Sequence, residues 1–149
     1  MGKRHTGRKL AMQALYQAEM RHVESIEEIV EEHIMLPRQY SDETKEWASF
    51  LAIKTWEKRP EIDPLITKQA KGWQFSRINP IDKSILRMAL FEMNNTRTPK
   101  TVILDEAIEI AKKYATDDSS KFINGILGAL LKEGMLATED PILKDSNGD

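Results

Sequence analysis

Residues 79–93 read Asn-Pro-Ile-Asp-Lys-Ser-Ile-Leu-Arg-Met-Ala-Leu-Phe-Glu-Met, and this stretch decides the fold. Asn79 is a favourable helix N-cap, and Pro80 suits the first helical position, where no backbone N–H is needed. Asp82 follows in the first turn, where the helix dipole stabilises a carboxylate. The apolar residues after it cover more than one face of a helix, so we predict a buried central helix packed on two sides.

The rest of the chain repeats this helical pattern. Apolar residues recur at helical spacing nearly everywhere, whereas the period-two alternation of strands is hard to find. We therefore predict an all-α protein of about seven helices. The first is expected over about residues 7–20 and the sixth over residues 102–115.

The last predicted helix runs to Lys132 and has two unusual features. Its N-cap is expected to be Asp117, Asp118 or Ser119. A pair of glycines lies three positions apart on one of its faces, and each glycine costs about 1 kcal/mol relative to alanine. We expect this pair to allow the close approach of a neighbouring backbone or a ligand. The two residues are Gly125 and Gly128.

Composition limits the class of protein. The 149 residues include no cysteine, which excludes disulfide bonds, thiolate metal sites and a cysteine nucleophile. No apolar run is long enough for a membrane span, and the amino terminus lacks the apolar core of an export signal. We expect a cytoplasmic protein with a single structured domain.

Charge is distributed unevenly along a chain whose formal net charge is -2. The first ten residues hold four bases and no acid, whereas residues 19–46 hold nine acids against three bases. A near-neutral total usually argues against a nucleic-acid-binding protein. That argument fails here because the basic residues are concentrated in one segment, which can attract a polyanion.

Arrangements typical of catalysis are not evident. The three histidines do not pair at metal-ligand spacing, and Glu19 to His22 is a single Glu-x-x-His motif where a di-iron bundle requires two. Adjacent acids such as Asp105 and Glu106 point about 100° apart on a helix. No phosphate-binding glycine loop or nucleophile elbow is present. We predict a protein that is not an enzyme and holds no metal or other cofactor.

Two groups of residues have the chemistry that single-stranded RNA requires. Cations attract phosphates, aromatic rings stack on bases, and amides hydrogen-bond to them. Each group also has a purely structural explanation, in which its polar residues lie in solvent at a helix start and its aromatic ring packs into the core. The first group is Arg8, Gln13 and Tyr16, away from the apolar stripe of the first helix or at its edge; the second is Lys121, Phe122 and Asn124.

Four segments of the chain resemble the NusB family of bacterial transcription antitermination factors. One such segment would be weak evidence, but four in the same order at matching separations, across residues 4–131, are specific. They are Gln-Ala-Leu-Tyr at 13–16, Asp-Lys-Ser-Ile-Leu-Arg-Met-Ala-Leu-Phe-Glu at 82–92, Asp-Glu-Ala-Ile-Glu-Ile-Ala-Lys at 105–112, and Lys-Phe-Ile-Asn-Gly-Ile-Leu at 121–127.

The resemblance implies an all-α fold of two small helical bundles that share a long central helix. It implies a bacterial protein that binds the boxA element of ribosomal RNA leader transcripts together with the small-subunit ribosomal protein NusE. It also implies an antitermination complex with RNA polymerase. The helical RNA-binding domain would cover residues 1–136, followed by a flexible acidic tail at residues 137–149.

Site residues are carried over by motif. Family members often have a more arginine-rich start, so we expect Lys3 and Lys9 to attract phosphates and not to recognise bases, because lysine lacks the planar fork of arginine. The RNA and the ribosomal protein are expected to meet near the start of the central helix. The implied RNA-binding residues are Lys3, Arg4, Arg8, Lys9, Gln13, Tyr16, Lys121, Phe122 and Asn124, and the junction residues are Asp82 and Asp118.

Two other functions stay open from the sequence. An RNA cytosine methyltransferase carries a similar helical domain at its amino end, but this chain has neither a cysteine nor a cofactor-binding sequence. A helical adaptor that binds no RNA would have the same fold. The oligomeric state is open too, since a homodimer could cover the basic segment with an acidic surface. That surface would contain Glu27, Glu28, Glu31 and Glu32.

Overall fold

A computed structural model describes residues 2–134, which form seven α-helices and no strand. A π-helical turn, Glu31–Met35, continues α2, and a 3-10 turn, Phe75–Arg77, precedes α5. The predicted all-α fold is confirmed, and the predicted tail at residues 137–149 lies outside the described residues. The helices are α1 (Lys3–Arg21), α2 (Glu27–Val30), α3 (Asp42–Glu57), α4 (Arg59–Gln69), α5 (Pro80–Asn95), α6 (Lys100–Tyr114) and α7 (Asp117–Lys132).

The central helix is α5. Asn79 caps it as predicted, since its side-chain oxygen accepts a hydrogen bond from the Ile81 N–H at 2.9 Å. Every residue from Asp82 to Met93 is buried. On one side α5 packs on α1 and α3, and on the other side it packs on α4, α6 and α7. Two helical bundles therefore share α5, as the family resemblance implies.

The first helix starts earlier than predicted. It begins at Lys3 and not near Gly7, so the basic residues belong to its first turns and are not a separate arm. Gly7 lies inside the helix at the contact with α3, where an added Cβ would lie 2.6 Å from Cδ1 of Trp47. The absence of a side chain at Gly7 thus allows α1 and α3 to approach closely.

One prediction for the last helix is wrong, and one alternative of a second prediction is contradicted. The N-cap of α7 is Thr116, whose hydroxyl oxygen accepts a hydrogen bond from the Ser119 N–H at 3.0 Å. It is not one of the three residues predicted for this position. Among residues 2–134, no neighbouring backbone approaches Gly125 or Gly128, since an added Cβ would meet none of their atoms within 4 Å at either position. Approach of a ligand to these glycines stays a prediction.

A buried network of charged groups connects the two bundles. Arg87 on α5 donates to Glu19 on α1 at 2.7 Å and to both carboxylate oxygens of Asp63 on α4 at 2.8 Å. Lys83 donates to Glu19 at 3.0 Å. Burial alone would raise the pKa of Glu19, but the hydrogen bonds from Arg87 and Lys83 outweigh it and hold that pKa below its ordinary value.

Within residues 2–134, every helix is too short or too polar to cross a lipid bilayer.

Candidate nucleic-acid interface

The basic residues of the first helix point in three different directions. Lys3 and Arg4 are exposed and turn toward α3. The ammonium of Lys3 lies 3.2 Å from Glu43, and the guanidinium of Arg4 stacks over the Trp47 ring at 3.7 Å from its centroid. Both side chains reach solvent, so they can contact a phosphate after giving up weak surface contacts.

Arg8 does not reach solvent, which corrects the expectation that it faces RNA. It is 5% exposed, and its Nε donates to Glu92 on α5 at 2.8 Å. Its Nη1 donates to Glu106 on α6 at 3.1 Å. Glu92 is fully buried, so this pair is an internal tie between α1 and α5. A guanidinium held in this way is unavailable to a phosphate, so Arg8 is not a proposed RNA contact.

Three predicted residues share one partly exposed face of α1. Lys9, Gln13 and Tyr16 follow one another at spacings of four and three, which places them on one side of a helix. Gln13 is held by His33, whose Nε2 lies 2.9 Å from the Gln13 side-chain oxygen. Burial, and then the positive charge of Lys9, lowers the pKa of His33, so its imidazole stays neutral near pH 7.

A histidine and two glutamates meet where α1 crosses α6. The ligand atoms of His5, Glu106 and Glu109 lie within 4.8 Å of one another, a proximity that sequence spacing did not reveal. The oxygen of Glu106 that contacts His5 also accepts the hydrogen bond from Arg8. A fixed guanidinium beside this oxygen opposes the binding of a second cation, so we assign no metal to the cluster.

The predicted group on α7 is divided between two grooves. Lys121 and Asn124 line a shallow groove between α6 and α7, together with Lys112. Phe122 turns to the other side of α7 and faces Trp73, with 6.0 Å between the ring centroids. The three residues therefore do not form one patch, but they flank the same helix at its amino end.

The groove on the Phe122 side has a volume of about 610 Å³. Trp73, 60% exposed, forms one wall, and both predicted junction residues, Asp82 and Asp118, line it. Asp82 is 6% exposed, and within residues 2–134 its buried Oδ1 has no hydrogen-bond partner. Burial raises the pKa of Asp82, and a hydrogen bond with Ser119 opposes this effect only in part. The site is suited to a cationic group that could pair with Asp82.

Trp73 is the residue of this site that sequence analysis missed. It follows Gly72, whose φ of 82° allows the chain to turn between α4 and the 3-10 turn. Helical periodicity detects apolar residues on the helix face that packs against the protein core. It therefore gives no information about a large aromatic residue in a polar connection between helices.

The fold and these grooves define a class of protein: a two-bundle helical protein whose lysine, amide and aromatic side chains are displayed around the ends of α1 and α7. Comparison with known proteins narrows this class. The profile of the NusB family matches residues 5–132. The chain therefore belongs to the NusB family.

Individual relatives agree with this membership. The transcription antitermination protein NusB of Symbiobacterium thermophilum is 33% identical, with 95% of this chain and 99% of that protein covered. The structure of T. maritima NusB has a TM-score of 0.79 and 37% identity, covering 89% of this chain and 92% of that one. A structure described as antitermination factors NusB and NusE in complex with dsRNA shares the fold, with a TM-score of 0.80, 24% identity, and coverage of 89% and 98%.

Proposed function

We propose that this protein is a transcription antitermination factor of the bacterial cytoplasm. In this proposal it binds the boxA element of ribosomal RNA transcripts as a single strand, together with the ribosomal protein NusE, and acts in a complex with RNA polymerase. Membership of the NusB family supports the antitermination role. One observation carries the RNA-binding role: the amino end of α7 is flanked on one side by the aromatic pair of Phe122 and Trp73 and on the other side by the exposed Lys121 and Asn124.

Each proposed RNA contact has a chemical role. Exposed lysine and arginine side chains attract phosphates, aromatic rings stack on bases, and amides hydrogen-bond to base edges. Arg8 is excluded because it is buried. The phosphate-binding residues are Lys3, Arg4, Lys9 and Lys121, the stacking residues are Tyr16 and Phe122, and the amides are Gln13 and Asn124.

The ribosomal protein is proposed to reach the groove that contains Asp82 and Asp118. A buried carboxylate oxygen without a partner is costly, and a lysine or arginine from another protein would remove this cost. The same groove is bordered by Phe122, so RNA and the ribosomal protein would meet there. Asp82→Asn is expected to weaken binding of NusE while RNA binding by the protein alone stays unchanged.

The decisive experiment is RNA binding measured by fluorescence anisotropy. We expect a boxA-like RNA to bind more tightly than a scrambled RNA of equal length, and NusE to strengthen the difference. Stacking of one base contributes about 1–3 kcal/mol, so Phe122→Ala should weaken binding by about 5- to 150-fold. Lys121→Gln should weaken binding at low salt, whereas Lys54→Gln on α3 serves as the matched control because it removes an exposed lysine far along another helix.

Thermal unfolding of each variant shows whether it is folded. Equal binding of both RNAs, or binding that does not change with salt, would contradict the proposed RNA recognition and favour a protein adaptor. Wild-type affinity in a folded Phe122→Ala variant would show that Phe122 only packs against Trp73.

A further inference from the structure

Two exposed lysines lie on α6, the helix next to α7 in the proposed RNA-binding surface. Lys112 and Lys113 occupy the last turn of α6. Neither makes an ion pair with any other residue in the range 2–134, although Lys113 lies 5.7 Å from the Tyr114 ring centroid. Neither lysine is among the RNA-binding residues expected from the sequence.

Lys112 lines two neighbouring grooves at once. The groove between α6 and α7 has a volume of about 420 Å³ and also contains Lys121 and Asn124. A second groove, of about 310 Å³, contains Lys113, Tyr114 and His5, and thus reaches the first turn of α1. Because Lys112 lines both grooves, it lies between Lys121 and Asn124 on α7 and His5 on α1.

The two grooves offer apolar surface as well as charge. The partly exposed Ile108 lies in the first groove, and the partly exposed Tyr114 lies in the second. An alternation of cations with apolar or aromatic surface is typical of sites that follow the backbone of a single strand while its bases rest on the protein.

We propose that these two grooves form one continuous track for single-stranded RNA, in which Lys112 contacts a phosphate between the nucleotides held by α1 and those held by α7. This inference rests on the proposed RNA-binding function and adds a contact from α6. Two acids flank Lys112, Glu109 in one groove and Asp117 in the other. Their negative charges weaken the attraction of the Lys112 ammonium for a phosphate.

Lysines near the end of a helix also stabilise its dipole, and this structural role must be separated from RNA binding. The salt dependence of binding separates them. Loss of one phosphate contact to a single strand reduces the slope of log affinity against log salt by about 0.7, so Lys112→Gln should bind RNA about fivefold more weakly at 0.1 M salt and nearly as well as wild type at 1 M. A purely structural lysine would change the unfolding temperature and leave the slope unaltered.

Two further variants sharpen the experiment, in which a boxA-like RNA is the probe. Glu109→Gln removes a nearby negative charge and should tighten RNA binding, an effect opposite to that of Lys112→Gln. Lys132→Gln, which removes an exposed lysine at the far end of α7, is the matched control and should keep the wild-type slope.

The possible outcomes test the Lys112 contact separately from the proposed RNA-binding function. A wild-type slope in Lys112→Gln, or unchanged affinity in Glu109→Gln, overturns the α6 contact while RNA binding by the wild type still supports the proposed function. Failure of the wild-type protein to bind the RNA overturns both.

Discussion

Arg8 shows how one residue can hold the proposed RNA-binding helix in place without contacting RNA. Its guanidinium pairs with the fully buried carboxylate of Glu92 and also reaches Glu106. Removal of one member of a buried ion pair leaves the other charge without compensation. Removal of both, with apolar replacements of similar volume, is often close to neutral.

We predict that Arg8→Ala lowers the free energy of unfolding by about 3–5 kcal/mol because it leaves the buried carboxylate of Glu92 without its guanidinium partner. The double variant Arg8→Met with Glu92→Leu should recover most of this loss, as measured by urea denaturation. The double variant should also bind RNA with the wild-type salt slope. A reduced slope in that folded variant would show that Arg8 contacts phosphate after all.

The role of Arg8 could not be predicted from the local sequence. A basic residue near the start of a helix, away from its apolar stripe, normally faces solvent. Its partner Glu92 is 84 positions away along the chain. The apolar pattern predicted the burial of the neighbouring Leu10 and Ala14 correctly, since burial of apolar residues requires no specific partner.

At the scale of helices, two kinds of glycine have opposite effects. Gly7 lies where α1 touches α3, and an added methyl group would meet the ring of Trp47 at 2.6 Å. Gly125 lies within α7, where an added methyl group would meet no other part of residues 2–134 within 4 Å. A glycine without a packing role only weakens a helix.

Gly7→Ala is therefore predicted to lower the free energy of unfolding by about 1–3 kcal/mol through overpacking. Gly125→Ala should raise it by up to about 1 kcal/mol through helix propensity. Denaturant unfolding of the two variants under identical conditions compares them directly. A stabilised Gly7→Ala variant would mean that Trp47 moves aside without cost and that the close approach of α1 and α3 is not limiting.

Helix starts were predictable where side-chain capping and proline coincide. Asn79 followed by Pro80 defines the start of α5, and the structure agrees. The start of α7 was misassigned because four consecutive residues, Thr116 to Ser119, are all good caps, and only the path of the preceding chain decides among them. The division of Lys121 and Phe122 between two grooves likewise depends on where α4 and α6 lie, which helical periodicity does not give.

Across the whole molecule, the connection between α1 in one bundle and α4 in the other depends on ionised groups. Glu19 accepts hydrogen bonds from Lys83 and Arg87, and Arg87 also pairs with Asp63. The pKa of Glu19 is lower in the folded protein than its ordinary value of 4.5. Ionised Glu19 therefore contributes stability above pH 4.5, and this contribution is lost as pH falls through the lowered pKa.

We predict that Glu19→Gln lowers the free energy of unfolding at pH 7 by about 2 kcal/mol, because hydrogen bonds between charged groups are lost. The difference from wild type should shrink as pH is lowered from 5 to 3, since protonation removes the same charge from the wild type. Urea denaturation at several pH values measures this. Glu57→Gln, which breaks an exposed pair with Lys54, is the control and should change stability by less than about 1 kcal/mol. A difference that stays constant down to pH 3 would contradict the lowered pKa.

The distribution of charge along the sequence predicted only part of the charge arrangement in the folded molecule. The basic residues were expected to act together as an arm. Folding instead turns Lys3 and Arg4 toward α3, buries Arg8, and leaves Lys9 on the partly exposed face of α1. The acidic residues of α2 and its π-helical turn remain exposed, so the homodimer in which they cover basic residues stays a prediction.

The inclusion of the basic residues in a regular helix affects the thermodynamics of recognition. A disordered basic arm would lose conformational entropy when it bound RNA, whereas α1 is already ordered and tied to α5 through Arg8. In the proposed complex, most of the ordering would therefore fall on the single-stranded RNA. An RNA whose backbone is already restrained near its bound shape should gain affinity, and stiffening the protein further should gain little.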